Sequence, residues 1–180
     1  MTLHTVNEAR HHLMQTEIAY WMEDNLFSGH WWFILIINIL FFLVFIVLID
    51  RSRFIMSAFC LLFSFFLVAL VNEIGNYFGY WSYPYQFIGF LESFNAVDFM
   101  TIPVVFALIY QYFTKWKAYL ITLLLVSALI GFVGMPIFVH FQFYELHHWN
   151  PFSSFVLLFI VGLVIKWVCD FIASHDRIIR

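Results

Sequence analysis

Five long segments of this chain contain few charged side chains, and they leave few folds open to it. The segments cover residues 31–49, 54–80, 97–113, 118–141 and 152–173. Each approaches or exceeds the ~20 residues with which a helix crosses ~30 Å of hydrocarbon. Their apolar residues run continuously instead of alternating with polar ones, which excludes a membrane β-barrel. We therefore predict an all-α membrane protein with five transmembrane helices, the third being the shortest.

Lysine and arginine are unevenly distributed among the connections between these segments. Seven of the eight fall on one side of the predicted bundle: Arg51, Arg53, Lys115, Lys117, Lys166, Arg177 and Arg180. Only Arg10 falls on the other side. The positive-inside rule assigns the basic side to the cytoplasm. We expect a multi-pass protein with its N-terminus outside and its C-terminus in the cytoplasm.

Residues 1–30 form an N-terminal segment ahead of a transmembrane domain covering 31–180. A helix over 3–26 would place apolar side chains on one face: Leu13, Ile18, Trp21, Met22 and Leu26. We predict an amphipathic helix here. The basic face typical of helices that bind lipid surfaces is missing, so packing over the outer mouth of the bundle and lying on the outer interface are equal alternatives.

Composition narrows the possible partners. The chain is 64% hydrophobic with a formal net charge of −3, and it has no basic patch for nucleic acid. It has no glycine-rich phosphate loop, and we expect no cofactor. Cys60 and Cys169 lie in different segments without a CxxC pair, so we interpret both as small buried apolar side chains. Membrane lipids, a small apolar ligand or a partner membrane protein remain as partners.

The polar residues deep in the apolar segments fall at one end of the predicted bundle. They are Asn72, Glu73, Asn76, Asp98, His140, Gln142 and Glu145. At 1.5 Å per residue, a helix entering at residue 54 carries Glu73 about 28 Å, to the outer boundary. Ionisable residues in a membrane usually face a protein interior or a wet cavity. We predict a polar pocket at the outer face, roofed by the aromatic loop 80–96, which supplies Trp81 and Tyr83.

Three interpretations of this pocket stay open: helix capping, a binding or catalytic site, and a metal site. As a binding site it would use Asn72, Asn76, His140, Gln142, Glu145, Trp81 and Tyr83, and as a catalytic site Glu73 and Asp98. The spacing matches no zinc pattern such as HExxH. We therefore predict no metal, with the adjacent His147 and His148 as the nearest candidates.

Small residues and prolines predict how the helices pack. Gly75 and Gly79 form a GxxxG pattern, and the fourth segment has a stripe of Ser127, Gly131 and Gly134; both are typical of close helix packing. Pro103 and Pro136 are expected to kink the third and fourth helices. Lys166 and Asp170, four residues apart, are expected to form a snorkelling ion pair near the inner boundary.

Three stretches resemble a known family. They are NEIGNYFGYWSYPYQ, then VDFMTIPVVFALIYQYFTKWKAY, then the ending that runs from HHW-NP to IKW-D. They are similar to small five-helix membrane proteins from endospore-forming bacteria, over roughly residues 20–175. The resemblance implies five helices and a bacterial cytoplasmic membrane, and it implies no activity.

A second resemblance concerns the order of acid, aromatic turn, loop and acidic residue opening a helix. This order is similar to that of the small membrane carotenoid (lycopene) cyclases, which have paired carboxylates at the start of such a helix. The matching place here reads Asn95-Ala96-Val97-Asp98, with one carboxylate and no preceding proline. The resemblance implies acid–base chemistry on a polyene by Glu73 and Asp98, since a carboxylic acid with a raised pKa can protonate one.

Two functions therefore remain. The first is binding of a lipid, small ligand or partner protein at the outer pocket. The alternative is an intramembrane enzyme acting on an isoprenoid, a carotenoid or another lipid by carboxylate acid–base chemistry. A permease is disfavoured, because it needs polar groups across the whole membrane depth.

Overall fold

A computed structural model describes residues 2–89 and 95–179, of which 176–179 by backbone alone. Its helices are α1 Leu3–Tyr20, α2 Gly29–Leu48, α3 Phe54–Tyr77, α4 Thr101–Tyr112, α5 Trp116–Leu129, α6 Met135–His140 and α7 Pro151–Ile179. π-helical turns occupy Trp21–Asn25 and Ile130–Gly134, and a 3-10 turn occupies Arg51–Arg53. Two short strands, β1 Trp81–Ser82 and β2 Glu145–Leu146, pair antiparallel and join the two long loops.

Four stretches of helix are long and apolar enough to cross a membrane. They cover Gly29–Leu48, Arg51–Tyr77, Trp116–His140 and Pro151–His175, which match the first, second, fourth and fifth apolar segments. The all-α, membrane-embedded class is therefore confirmed. The third segment differs from the expectation: its helix begins at Thr101 and has 12 residues, which is about 18 Å and short of the ~30 Å of hydrocarbon.

The short helix α4 is the centre of the bundle. It packs chiefly on α3 and also on α2, α5 and α7. Its buried apolar side chains are Ile102, Pro103, Val104, Phe106, Ala107 and Ile109. Pro103 lies in the first turn, where a backbone N–H has no helical partner. The predicted kink at Pro103 is therefore wrong, and α4 continues as regular helix to Tyr112.

Gln111 anchors the other end of α4. Its Oε1 accepts hydrogen bonds from the Asp50 backbone N–H at 2.9 Å and from the Ser57 hydroxyl at 3.1 Å. Its amide N–H donates to the Leu48 carbonyl at 2.8 Å. These bonds tie α4 to the turn between α2 and α3. We call this the basic end, after Arg51, Arg53, Lys115 and Lys117, and the opposite one, with the connections 78–100 and 141–150, the loop end.

Lys166 is buried in α7, with 2% of its side chain exposed. Its ammonium donates to the Thr114 carbonyl at 2.9 Å and to Asp170 Oδ1 at 3.1 Å. Three aromatic rings surround the ammonium at centroid distances of 4.8–5.7 Å: Tyr110, Trp116 and Tyr119. The predicted ion pair is confirmed. Snorkelling is wrong, because the lysine is enclosed by rings instead of reaching water.

The N-terminal segment contacts the loops of the bundle from the end of α1 onward. No residue of α1 is buried, so Leu13 and Ile18 of the predicted apolar face are exposed. The following residues do make contact: the Tyr20 hydroxyl donates to the Pro84 carbonyl at 3.3 Å, and the Trp21 indole to the Gln86 carbonyl at 3.1 Å. A Cβ on Gly89 would lie 2.3 Å from Trp21 Cγ. The aromatic loop is therefore covered by the end of this segment.

The predicted GxxxG packing of α3 is wrong, because Gly79 closes the end of the helix and Gly75 faces the Trp81 ring. Gly79 has φ +65°; its N–H bonds the Asn76 carbonyl, and the Tyr80 N–H bonds the Gly75 carbonyl. This is the Schellman pattern that closes a helix. A Cβ on Gly75 would lie 2.0 Å from the Trp81 ring. Gly75 therefore makes room for an indole.

The second small-residue stripe is confirmed in part. A Cβ on Gly131 would lie 2.9 Å from the backbone nitrogen of Phe155, so this glycine lets the π-helical turn approach α7. Ser127 is buried beside it. Gly134, in contrast, would meet nothing closer than the Leu129 carbonyl at 3.9 Å. Gly134 lines a cavity.

Candidate binding cavity

A cavity of about 210 Å³ lies at the loop end of the bundle. Its walls come from α3, the start of α4, the Ile130–Gly134 turn with α6, and α7, and they include Val68, Val71, Leu157, Leu158 and Val161. A cavity of about 150 Å³ lined by apolar side chains takes up a benzene-sized molecule. This one is larger, and it is almost entirely apolar except at one end.

The connection after α6 builds one wall of the cavity. Gln142 adopts φ +60°; its N–H bonds the Val139 carbonyl, and the Phe143 N–H bonds the Phe138 carbonyl. This is again the Schellman pattern, and it brings the Phe138 and Phe143 rings to 5.6 Å. Both rings line the cavity. They also line a wholly apolar groove beside it, together with Phe33, Ile137 and Phe141.

The polar end of the cavity is one hydrogen-bonded cluster. We call Asn72, Trp81, Tyr83, Asn95 and Asp98 the Asp98 cluster. Asn72 Oδ1 lies 3.0 Å from the Trp81 indole nitrogen and 2.7 Å from the Tyr83 hydroxyl. The same hydroxyl lies 2.6 Å from Asp98 Oδ2, which also accepts from the Asn95 amide at 2.8 Å. All five side chains line the cavity.

Asn95 sets the geometry of the turn that presents Asp98. Its Oδ1 accepts the backbone N–H groups of Val97 at 2.8 Å and Asp98 at 2.9 Å. This Asx turn leaves the Asn95 Nδ2 pointing to the carboxyl of Asp98. The Asn38 amide, from the middle of α2, donates to the Asn95 carbonyl at 3.1 Å. The non-helical backbone before α4 is thus hydrogen-bonded within the protein.

A count of protons assigns the protonation of Asp98. An indole nitrogen only donates, so Trp81 fixes which atom of Asn72 is the oxygen. That oxygen can only accept, so the single Tyr83 proton is directed to it. The 2.6 Å contact between Tyr83 and Asp98 Oδ2 then needs a proton of its own. Asp98 supplies it as a neutral carboxylic acid with its proton on Oδ2.

Burial favours the same state. Asp98 lies in the turn before α4, outside the membrane-spanning helices, and 8% of it is exposed. Desolvation raises its pKa above the ordinary carboxyl value, and the hydrogen bonds that Tyr83 and Asn95 can donate to the ionised form offset this only in part. Desolvation also raises the pKa of Tyr144 far above that of a free phenol. Tyr144 therefore stays a hydroxyl donor beside the acid.

Two polar groups at the cavity can form further hydrogen bonds. Both hydrogen bonds of the Asp98 carboxyl end on Oδ2, and Oδ1 receives none from the described residues. The Tyr144 hydroxyl likewise makes no hydrogen bond to them. The two are the carbonyl oxygen of a neutral acid and a phenol, and both line the cavity.

The other proposed ligand and catalytic residues lie outside this cluster. Glu73 is exposed and is not among the described lining residues of the cavity, so the structure does not bring it together with Asp98 there. Asn76 is half-buried, and its amide donates to the Asn72 carbonyl at 3.2 Å. His140 is exposed at the end of α6. Gln142 serves as a backbone cap.

The histidines after α6 lie on the surface of the loop end. His147 Nε2 is 3.0 Å from the Ser82 hydroxyl, which lies 3.4 Å from Glu145 Oε2. His148 is exposed. Within residues 2–89 and 95–179, no three His, Cys, Asp or Glu side chains are grouped to hold a metal ion.

Three positions that form or support the cavity were missed from the sequence: Asn38, Asn95 and Tyr144. An amide in the middle of an apolar helix such as α2 is itself a signal, which would have drawn attention to Asn38. Asn95 precedes Asp98 by three residues, a spacing at which an Asn side chain caps the turn that follows. Tyr144 carried no signal, since it is one of many aromatic residues.

Comparison with models of protein families, with curated proteins and with solved structures finds no match to this chain. The two family resemblances therefore stay predictions.

Proposed function

We propose that this protein is a multi-pass membrane protein that binds a lipid chain or another small apolar molecule in the cavity at its loop end. The proposal rests on one observation: an apolar cavity of about 210 Å³ ends on a buried acid whose Oδ1 has no partner among the described residues. Ligand sites are typically apolar clefts with a few placed polar groups. Membrane lipids are the nearest source of such a ligand.

The proposal includes the membrane orientation. The basic end faces the cytoplasm and the loop end faces outward, in a bacterial cytoplasmic membrane as the family resemblance implies. α4 then makes the fifth crossing, and the turn 95–100 before it lies at the outer membrane boundary. Protein surrounds the non-helical backbone of this turn, since Asn95 and Ala96 are buried.

The apolar groove offers a lateral route to the cavity. Its rings Phe138 and Phe143 are shared with the cavity wall. On its outer side Phe33, Ile137 and Phe141 are exposed, as lipid-facing residues would be. We propose that an apolar ligand passes from the bilayer between α2 and α6 by rotation of these two rings.

Photolabelling tests the binding site. A twelve-carbon alkyl probe with a diazirine at mid-chain is added to the purified protein and irradiated, and the labelled residues are mapped by mass spectrometry. We expect label at the cavity residues Leu157 and Val161, above that at Ile160, which is 51% exposed on the same helix. A leucine at Gly134 would fill the cavity, so Gly134→Leu should lose this label.

The control is Gly29→Leu, the same substitution where a Cβ meets nothing within 4 Å and outside the cavity. It should label as the parent does. Equal label at Leu157 and Ile160, unchanged by Gly134→Leu, would contradict the proposed site.

An enzyme acting on an isoprenoid is the second candidate, and the proton on Asp98 favours it. A buried neutral acid beside an apolar cavity has the form of a general acid for a double bond. The described lining residues provide no second carboxylate to serve as base. Turnover of an added polyene to an isomeric product, lost in Asp98→Asn, is the outcome that would establish this function over binding alone.

A further inference from the structure

We infer that the occupant of this cavity is a neutral lipid alcohol, whose hydroxyl donates to Asp98 Oδ1. The inference rests on the proposed function and names its ligand class. It follows from which atoms at the polar end can donate and which can accept.

The Trp81 indole, which can only donate, determines the donors and acceptors in the rest of the Asp98 cluster. The indole makes Asn72 Oδ1 an acceptor, the acceptor takes the Tyr83 proton, and Tyr83 must then receive a proton from Asp98 Oδ2. With the acid proton on Oδ2, the other oxygen of the carboxyl is a carbonyl oxygen. It can accept a hydrogen bond and cannot donate one.

Oδ1 is that unbonded acceptor. Asp98 is 8% exposed and lines the cavity, and its Oδ1 accepts no hydrogen bond from any described residue. An O–H group of a ligand in the cavity can donate a hydrogen bond to this oxygen. An ether or ester oxygen at the same place would face another oxygen with no proton between them.

The neighbouring side chains complete the site for an alcohol. The Tyr144 hydroxyl is unbonded among the described residues and can donate to the oxygen of the ligand. Thr101 Oγ1 already donates to the Ala96 carbonyl at 3.1 Å, so it adds a second acceptor. A hydroxyl, which both donates and accepts, matches this mixed set.

Charge excludes the commoner lipid headgroups. The described lining residues contain no Lys, Arg or His, and their one carboxyl group is held neutral. A phosphate or carboxylate would be buried without a cation, which is strongly unfavourable. An ammonium would find no carboxylate to pair with among the described lining residues. A long-chain alcohol, a prenol or a diacylglycerol has the chemistry that fits.

Matched probes test the inference through their affinities. Dodecan-1-ol, dodecyl methyl ether and dodecanoate share one chain and differ at its end, and each competes with the diazirine probe for the cavity label. We expect dodecan-1-ol to bind about tenfold more tightly than the ether, the worth of one net hydrogen bond. Dodecanoate should bind about tenfold more weakly than the alcohol, or weaker still.

Two variants test whether the carboxyl of Asp98 causes the preference for alcohol over ether. Asp98→Leu should bring the ratio of alcohol to ether affinity to about one while the chain still binds. Tyr144→Phe should weaken the alcohol and the ether alike, because both oxygens can accept from this hydroxyl, and the ratio should stay above one. Because the ratio in the unaltered protein needs no variant, the inference stays testable even where Asp98→Leu does not fold.

The results of these experiments distinguish failure of the alcohol as ligand from failure of the cavity as a binding site. Equal affinity for alcohol and ether, or a preference for dodecanoate, overturns the alcohol and leaves the cavity as a binding site. No competition by any probe, with label unchanged in Gly134→Leu, overturns both. Farnesol and 1,2-dioctanoylglycerol, tested beside dodecan-1-ol, show whether the alcohol comes from an isoprenoid, a glycerolipid or a straight chain.

Discussion

The proton on Asp98 has a direct spectroscopic signature. A neutral carboxyl gives an infrared carbonyl band that a carboxylate lacks. We expect this band at neutral pH and its loss in Asp98→Asn, because the contact of 2.6 Å to Tyr83 needs the acid proton. Glu73→Gln, which removes an exposed carboxyl outside the cavity lining, should leave the band in place. Loss of the band in Glu73→Gln instead would show that the neutral carboxyl is Glu73 and that the assignment to Asp98 is wrong.

The same proton makes stability depend on pH. Burial raises the pKa of Asp98 in the folded protein, so the folded state binds more protons than the unfolded state between the ordinary and the raised value. Stability is then greatest below the ordinary carboxyl pKa and falls as pH rises through the raised one. Thermal unfolding in detergent should show this fall, and Asp98→Asn should reduce it. A transition temperature that rises with pH in that window, in parent and not in variant, contradicts the assignment.

Asn72 is the acceptor on which the cluster depends. Asn72→Ala leaves the Trp81 indole and the Tyr83 hydroxyl without their common partner, and we expect a loss of about 3 kcal/mol in unfolding free energy. Asn76→Ala is the matched control one turn further along α3. Its amide makes one backbone bond from a half-buried position, so its loss should be about 1 kcal/mol or less. Equal losses would show that the cluster is not what stabilises this region.

Helices were predictable from the sequence where their cause is local. Runs of apolar residues determine α2, α3, the stretch from α5 through α6, and α7, and the ends of these stretches fall near the predicted ones. The start of α4 was not predictable, because Asn95 takes the backbone N–H groups of Val97 and Asp98 into a turn. That turn is held by contacts from α2 and from the loop after α3, which no single segment encodes.

The roles of the glycines in α3 likewise depend on contacts with other parts of the chain. Gly75 and Gly79 have the spacing of a helix–helix contact, yet one faces an indole and the other closes the helix. Spacing alone cannot distinguish a helix–helix contact, a contact with an indole and a helix end, since glycine suits all three. The site was predicted in the same partial way: Asn72, Trp81, Tyr83 and Asp98 lie together, whereas Glu73 shares their depth on α3 but is exposed outside the cavity lining.

Gly75→Ala tests how α3 accommodates the aromatic loop. The new Cβ would lie 2.0 Å from the Trp81 ring, so the indole must move and its bond to Asn72 is lost. We expect about 2–3 kcal/mol of destabilisation and a red shift of tryptophan emission as the ring becomes wetter. Gly29→Ala, where a Cβ meets nothing within 4 Å, should change neither. An unchanged emission in Gly75→Ala would mean that the indole is not seated against α3.

At the scale of the whole molecule, the cavity lies at the end opposite Arg51, Arg53, Lys115 and Lys117. The basic end is held by Gln111 and by Lys166 with its aromatic rings, and the loop end by the Asp98 cluster and the β1–β2 pair. A half-length α4 between them leaves room at the loop end, which the cavity occupies. The shortness of the third helix, an irregularity by sequence criteria, is thus the structural origin of the site.

Cysteine labelling tests the orientation of these two ends. The native Cys60 and Cys169 are fully buried, so the parent protein should react little with a membrane-impermeant maleimide and needs no cysteine removed. His148→Cys places a thiol at an exposed position of the loop end, and Lys117→Cys places one at an exposed position of the basic end. With the basic end in the cytoplasm, intact cells should label only His148→Cys, and permeabilised cells should label both. Labelling of Lys117→Cys in intact cells, with His148→Cys protected until permeabilisation, would invert the orientation and place the cavity on the cytoplasmic side.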